Sequence, residues 1–301
     1  MSATSVLYDA PGVRAKRRNI LYTIVFLVLF VLAAWWVLAA MADKNQLASE
    51  KWSPFVTDSE VWTTYLLPGL GETLKAAGLA IVIALPLGAL LGIGRLSDHA
   101  WVRVPVGVVV EFFRSIPVLL MMVFASQAYA QFTDVPSDLR PLYAVVTGLV
   151  LYNASVIAEI VRAGILSLPS GQTDAAKAIG MRKGQTMSYV LLPQAVTAML
   201  PALVSQLVVI VKDTALGGAI LGLSELLAQN RSITANYGAN TIAALTVIAL
   251  IYIALNFLLT TFAGWLERRL RQAKKSTGAV LGADDVQQVN TPGRTPDGSG
   301  S

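Results

Sequence analysis

Six long apolar runs, separated by shorter polar segments, set the plan of this chain. Residues 20–42 and 239–265 contain no charged side chain, and residues 76–94 lie between Lys75 and Arg95. Residues 105–131 are apolar apart from Arg114 and Glu111 near one end. Residues 141–161 contain only Glu159, and 201–222 contain Lys212 and Asp213. A spanning helix needs about 20 apolar residues. The runs are apolar on all sides rather than in alternation, which favours helices over barrel strands. The pattern predicts an all-α integral membrane protein with six transmembrane helices. It divides into a tail (1–19), a first helix (20–42), a segment (43–67), a core (68–265) with an internal polar segment (163–200), and a second tail (266–301).

A basic stretch, an apolar run and Ala40-Met41-Ala42 also fit a signal peptide with its cleavage site. The apolar run is about twice the length of such a region, which favours a retained helix. Residues 276–301 are rich in Gly, Ser, Thr, Pro, Asp and Gln. They have too little apolar surface to offset the entropy of ordering, so a disordered tail is expected.

Composition and charge fit the membrane reading. Of 301 residues 55% are hydrophobic and 14% charged, with a mean hydropathy of +0.61. A soluble domain has about 25% charged residues. The chain has no cysteine and a single histidine, His99, which argues against disulfides, a thiol nucleophile and a histidine metal site. Basic residues fix the orientation through the positive-inside rule. With the N-terminus inside, the inner segments hold Arg14, Lys16, Arg17, Arg18, Arg95, Arg103, Arg162, Lys177, Arg182 and Lys183, and then five more from Arg268 to Lys275. The outer segments hold Lys44, Lys51, Arg140 and Arg231, with Lys75 near an outer end. Both termini and the 163–200 segment are therefore expected in the cytoplasm, and the net charge of +5 reflects topology rather than nucleic acid. Trp52, Trp62, Tyr65, Trp101 and Trp265 are expected at the interfaces.

The most informative polar segment is residues 159–193. Ser170 and Thr173 can each cap a short helix at about 171–179. Ala175, Ala176 and Ala178 favour helix and leave room for another surface to approach. Gly180 stands where a left-handed C-cap would end that helix. A second amphipathic helix is expected from about 184 until Pro193 disturbs it. Physical pattern alone leaves two readings open: a docking surface, or an amphipathic helix lying on the membrane.

Asp174-Ala175-Ala176, Gly180 and Leu192-Pro193 resemble, at family spacing, the "EAA" loop of binding-protein-dependent ABC importer permeases, with Asp174 in place of the usual Glu. Three further segments resemble the polar amino-acid uptake subfamily. These are Gly71-Glu72-Thr73-Leu74, Glu111-Phe112-Phe113-Arg114-Ser115-Ile116-Pro117 (its "EFFRGTP" signature) and Lys212-Asp213-Thr214 (its "KDTSL" segment, with Ala215 where Ser is usual). Together they cover residues 68–265, and the overall character is most like that of actinobacterial glutamate-uptake permeases. The resemblance implies a type I importer core of five helices plus one N-terminal helix in a bacterial cytoplasmic membrane. It also implies docking of ATPase subunits on the 165–193 loop, a second permease subunit, an extracytoplasmic solute-binding protein and an amino-acid substrate. No phosphate-binding G-x-x-x-x-G-K-[ST] motif occurs in the chain, so ATP and its Mg²⁺ are expected on the partner ATPase, and no cofactor or enzyme site is expected here.

Ionisable groups inside a membrane are costly and usually face a cavity or a partner. Glu111, Arg114, Glu159, Lys212 and Asp213 are candidates for the translocation path, where an amino acid offers a carboxylate to a cation and an ammonium to an anion. The other reading is that they hold helix ends together. Thr214, Asn153 and Gln206 are polar candidates for the same path; with Ser155, Asn153 and Gln206 are alternatively interhelical hydrogen-bond partners. Pro86 and Pro117 are expected to kink their helices. A gradient-driven transporter or channel, and a coupling-only permease without a substrate site, are the alternatives to an ATP-driven permease.

Overall fold

A computed structural model describes residues 12–275, and among these all regular structure is helical. The expectation for the 276–301 tail lies outside the described residues. Helix α1 is Val13–Asp43, followed by the short α2 (Ser49–Trp52) and α3 (Pro54–Thr57). Next come α4 (Val61–Gly94), α5 (Ala100–Ser115), α6 (Val118–Phe132), α7 (Arg140–Leu166) and α8 (Ser170–Ala178). The chain ends in α9 (Lys183–Leu221), α10 (Gln229–Asn236) and α11 (Thr241–Lys275). Helices α1, α4, α7 and α9, with Thr241–Trp265 of α11, are long and apolar enough to cross a membrane.

Three expectations change. The third run is not one kinked helix: α5 and α6 meet at a bend of 100°. Proline disfavours the helical region for the residue before it, and Ile116 is extended, with φ −94° and ψ 130°. The second helix begins at Val61 rather than near residue 76. Glu72 and Lys75, which interrupt the apolar run, pair one turn apart at 3.2 Å instead of ending it. The fifth helix starts at Lys183 and runs through both Pro193 and Pro201. A π-helical turn at Thr186–Leu191 precedes Pro193, which then occupies the first turn of the next α-helical stretch. There a missing N–H costs little.

The chain forms two compact units. Of the described residues, the smaller comprises those up to Leu67 with Gln229–Ile248. Phe55, Val61, Leu66, Ile233, Ala243, Ala244 and Ile248 are buried in it. Polar clasps hold its outer elements: the Tyr237 hydroxyl donates to Asp58 at 2.7 Å, and the Asn236 amide donates to the Tyr65 hydroxyl at 2.9 Å. Tyr237 therefore holds the Asp58 carboxyl below its ordinary range, while its own hydroxyl is pushed up to about 12 by that same bond. Helix α1 has no buried residue.

The larger unit comprises Pro68–Ala228 with the described residues from Ala249 to Lys275 and is built around α7. Helix α4 presents small residues every fourth position, Ala76, Ala80, Ala84, Gly88 and Gly92, and all are buried. A Cβ at Gly88 would lie 2.6 Å from Ile157, and one at Gly92 would lie 2.7 Å from the Ala158 carbonyl. Small residues at this spacing let membrane helices approach backbone to backbone. Gly148 does the same against Met122 of α6, and Gly217 of α9 against Val145.

Candidate functional site

The 165–193 segment folds as two helices joined at a tight turn. Helix α8 follows Pro169, whose extended backbone occupies the N-cap position, and no side chain caps the helix. The expected caps at Ser170 and Thr173 are thus not made; Ser170 is already the first helical residue. At the other end Gly180 adopts φ +81°, its N–H donates to the Lys177 carbonyl at 2.9 Å, and that of Met181 to Ala176 at 3.1 Å. This is the left-handed exit that a residue with a Cβ adopts only under strain. The second helix opens with the Arg182 N–H donating to Gln185 Oε1 at 2.9 Å.

Ala176 turns inward, 3% exposed. Asp174, Ala175, Lys177 and Ala178 face out. Ile179 is 78% and Tyr189 76% exposed, so the loop displays two large apolar groups among small and charged ones. Leu192 is half-buried, Pro193 is exposed, and Gln194 ties α9 back to α8 through Gln172 at 3.3 Å.

The charged candidates separate into two groups. Arg95, at the end of α4, donates to Glu159 of α7 at 2.6 Å and to Glu111 of α5 at 2.9 Å. Arg114 lies 3.6 Å from Glu111 and 3.7 Å from Glu159, and Arg162 lies 2.9 Å from Glu159. Three cations thus surround two carboxylates where α4, α5 and α7 meet. Arg114, Glu159 and Tyr152 line a cavity of about 420 Å³, and Arg95, Glu111 and Arg162 a second of about 660 Å³. Lys212 is exposed and Asp213 half-buried. Neither joins this cluster by an ion pair among the described residues. Thr214 is buried and donates to the Val211 carbonyl at 2.7 Å. Asn153, also buried, donates to the Leu149 carbonyl at 2.7 Å and accepts from Gln206 at 2.5 Å, joining α7 to α9.

The model of one protein family, described as binding-protein-dependent transport system inner membrane component, matches residues 84–272. The chain belongs to that family. This permease is 47% identical over 268 residues to the glutamate transport system permease protein GluD of Corynebacterium glutamicum, covering 85% of this chain and 96% of that one. It is 29% identical over 213 residues to the probable glutamine ABC transporter permease protein GlnP of Bacillus subtilis, covering 70% and 96%. A solved amino acid ABC transporter, crystallised with histidines, superposes with a TM-score of 0.61 at 28% identity over 69% of this chain and 95% of that one. The methionine transporter MetNI, in an inward-facing form, superposes at 0.57 with 25% identity over 69% and 97%. The permease is a transport subunit of an amino-acid ABC importer, not an enzyme.

Sequence reasoning treated Arg95 and Arg162 only as orientation markers and passed over Glu225. Arg95 is the most buried cation of the cluster in the permease, its side chain 14% exposed. Its place at the boundary of an apolar run was the available signal. Glu225 is fully buried in the loop after α9. Its carboxylate accepts from the Leu227 and Ala228 N–H groups at 2.8 Å each and from the Tyr252 hydroxyl of α11 at 2.7 Å. It also abuts Gly218, where a Cβ would collide with it. The adjacent Leu226 N–H donates to Thr73 of α4 at 3.1 Å. Burial pushes the Glu225 carboxyl up, against the opposing pull of these hydrogen bonds. Being the one acidic residue in 215–228 was its only mark in the sequence.

Proposed function

We propose that this permease imports glutamate, with the 165–193 loop as the docking element for a partner ATPase. The observation that carries the substrate is the 47% identity to a glutamate permease along nearly that protein's whole length. The geometry supports the docking role. Helix α8 is short, exposed and tipped by Ile179, and the fixed turn at Gly180 holds it against the start of a spanning helix. On this reading both termini and the loop are cytoplasmic. The working importer pairs this chain with a second permease, two ATPase subunits that bind ATP and Mg²⁺, and an extracytoplasmic glutamate-binding protein.

Closure of the ATPase dimer then pulls on α8, and the continuous α9 carries that movement into the membrane. Asp174, Ala175, Ala176, Gly180, Leu192 and Pro193 shape the coupling element. Arg114, Glu111 and Glu159 present both charge signs beside a cavity and are the leading contacts for a zwitterion. Asn153, Gln206, Lys212, Asp213 and Thr214 lie on the helices that would line the same path. A substrate carboxylate fits Arg114, whose fork can bind it with two parallel hydrogen bonds.

The test is ATP-dependent uptake of labelled glutamate, glutamine, arginine and histidine into vesicles holding the permease and its co-encoded partners. Glutamate uptake that disappears in Gly180→Pro, with the complex still assembled, is the expected result. A proline cannot adopt the φ of +81° found there. Uptake that needs no ATP and survives the change would sink the docking reading.

A further inference from the structure

We propose that Lys183 is a positioning residue that links the ATPase-docking loop to the Arg95 charge cluster, so that movement of α8 reaches α5 and α7 through it. The inference rests on the docking reading above. Lys183 is the first residue of α9, three positions after the Gly180 turn. Its ammonium donates to the Leu96 carbonyl at 3.0 Å and to the Asp98 carboxylate. Leu96 directly follows Arg95, the residue that holds Glu159 of α7 and Glu111 of α5. A single side chain therefore separates the loop from the centre of the cluster.

The short 96–99 turn is fastened from its other side as well. Arg103 of α5 donates to the Ser97 carbonyl at 3.0 Å and to that of Asp98 at 3.4 Å. A shift of Lys183 is thus passed to α5 by two routes, through Arg95–Glu111 and through Arg103. Space around the contact marks it as a link rather than part of a packed wall. A cavity of about 430 Å³ beside it is lined by Gly94, Leu96 and His99. Another of about 380 Å³ is lined by Thr173, Lys177 and Thr186. Asp98, Lys183 and Met187 line both. The loop has room to move there, while the Lys183 contacts hold it to the turn.

The pair's value is positional rather than stabilising. The side chains of Lys183 and Asp98 are 51% and 73% exposed, and ion pairs this open contribute little to folding. The Lys183 bond holds the Asp98 carboxyl below its ordinary range. Variants of either residue should consequently fold and assemble, while altering how ATP hydrolysis is converted into transport.

The complete complex in proteoliposomes is the system to use, with whichever labelled amino acid of the four above the unaltered complex imports. Lys183→Glu and Asp98→Lys should each lower the amount imported per ATP hydrolysed by roughly three- to ten-fold. The double exchange should restore it to within about two-fold, because the opposite charges face each other again. Single variants with an unchanged ratio, or a double exchange no better than the singles, would overturn the link. Docking is read separately by cross-linking Ile179→Cys to the ATPase, a clean probe because the chain has no cysteine. A cross-link with an unchanged ratio rejects Lys183 alone; no cross-link rejects the docking reading and the link with it.

Discussion

Glu225 shows how much one side chain can organise. It gathers the loop after α9, Gly218 of α9 and Tyr252 of α11, and its neighbour Leu226 reaches Thr73 of α4. Replacing it by Gln sets an amide N–H against one of the backbone N–H groups it now accepts from, at a cost of about 1–2 kcal/mol. Ala leaves three donors unpartnered and a void, costing about 3 kcal/mol. The pH dependence has a defined sign. Burial raises this carboxyl in the folded state, so its contribution is fully present below the ordinary carboxyl range of about 4.3 and is lost as pH rises through the raised value. The thermal midpoint of the purified permease should fall over that window, and Glu225→Gln should flatten the slope. An unchanged slope would show that Glu225 does not titrate there. Nothing in the alternation of apolar residues distinguishes Glu225 from a surface acid; only the convergence of three helices buries it.

At the scale of elements, the stripe Ala76, Ala80, Ala84, Gly88 and Gly92 is buried along α4, because small side chains at this spacing let membrane helices approach closely. Two glycines of α4 make a paired test. Gly88→Ala should destabilise by about 1–3 kcal/mol, since its Cβ would sit 2.6 Å from Ile157 and 2.8 Å from the Ala154 carbonyl. Gly78→Ala meets nothing within 4 Å and should stabilise by up to about 1 kcal/mol through helix propensity. Thermal midpoints of the two proteins should move in opposite directions. The broken α5–α6 pair is checked by distance. With a bend of 100°, labels on cysteines at Val104 and Gln131 should lie roughly 25 Å apart, against about 40 Å for one straight helix at 1.5 Å per residue. A distance near the longer value would mean that Pro117 only kinks the helix. Its effect on Ile116 is local and predictable, but the size of the bend depends on α6 packing against α7 and burying Met121 and Met122.

For the whole molecule, the uneven distribution of Lys and Arg yields a concrete topology. Cysteines introduced singly at Ile179 and Val56, both strongly exposed, should label from opposite sides of the membrane. Impermeant reagent should reach Val56→Cys in intact cells and Ile179→Cys only in inverted vesicles. Labelling of Ile179→Cys in intact cells would reverse the orientation given to the loop and remove the basis for ATPase docking. The same chemistry at residue 35 of α1, a position 68% exposed, reports whether lipid or a partner helix covers that face.

The sequence by itself determined the membrane class, the approximate number of crossings, the turn at Gly180 and the family. Each depends on local signals: run length, charge counts, a residue able to hold φ +81°, and motifs at fixed spacing. Tertiary structure alone decided which charges meet. Glu111, Arg114 and Glu159 gather around Arg95, whereas Lys212 and Asp213 stand outside that cluster. It also joined Lys183 to Asp98, residues 85 positions apart, and buried Glu225 beneath Tyr252. Composition and periodicity fix how apolar a helix is and where it ends. Which side chains come within hydrogen-bonding reach is set by how helices distant in sequence rotate and close on one another, and here the small residues of α4 and α7 set that approach.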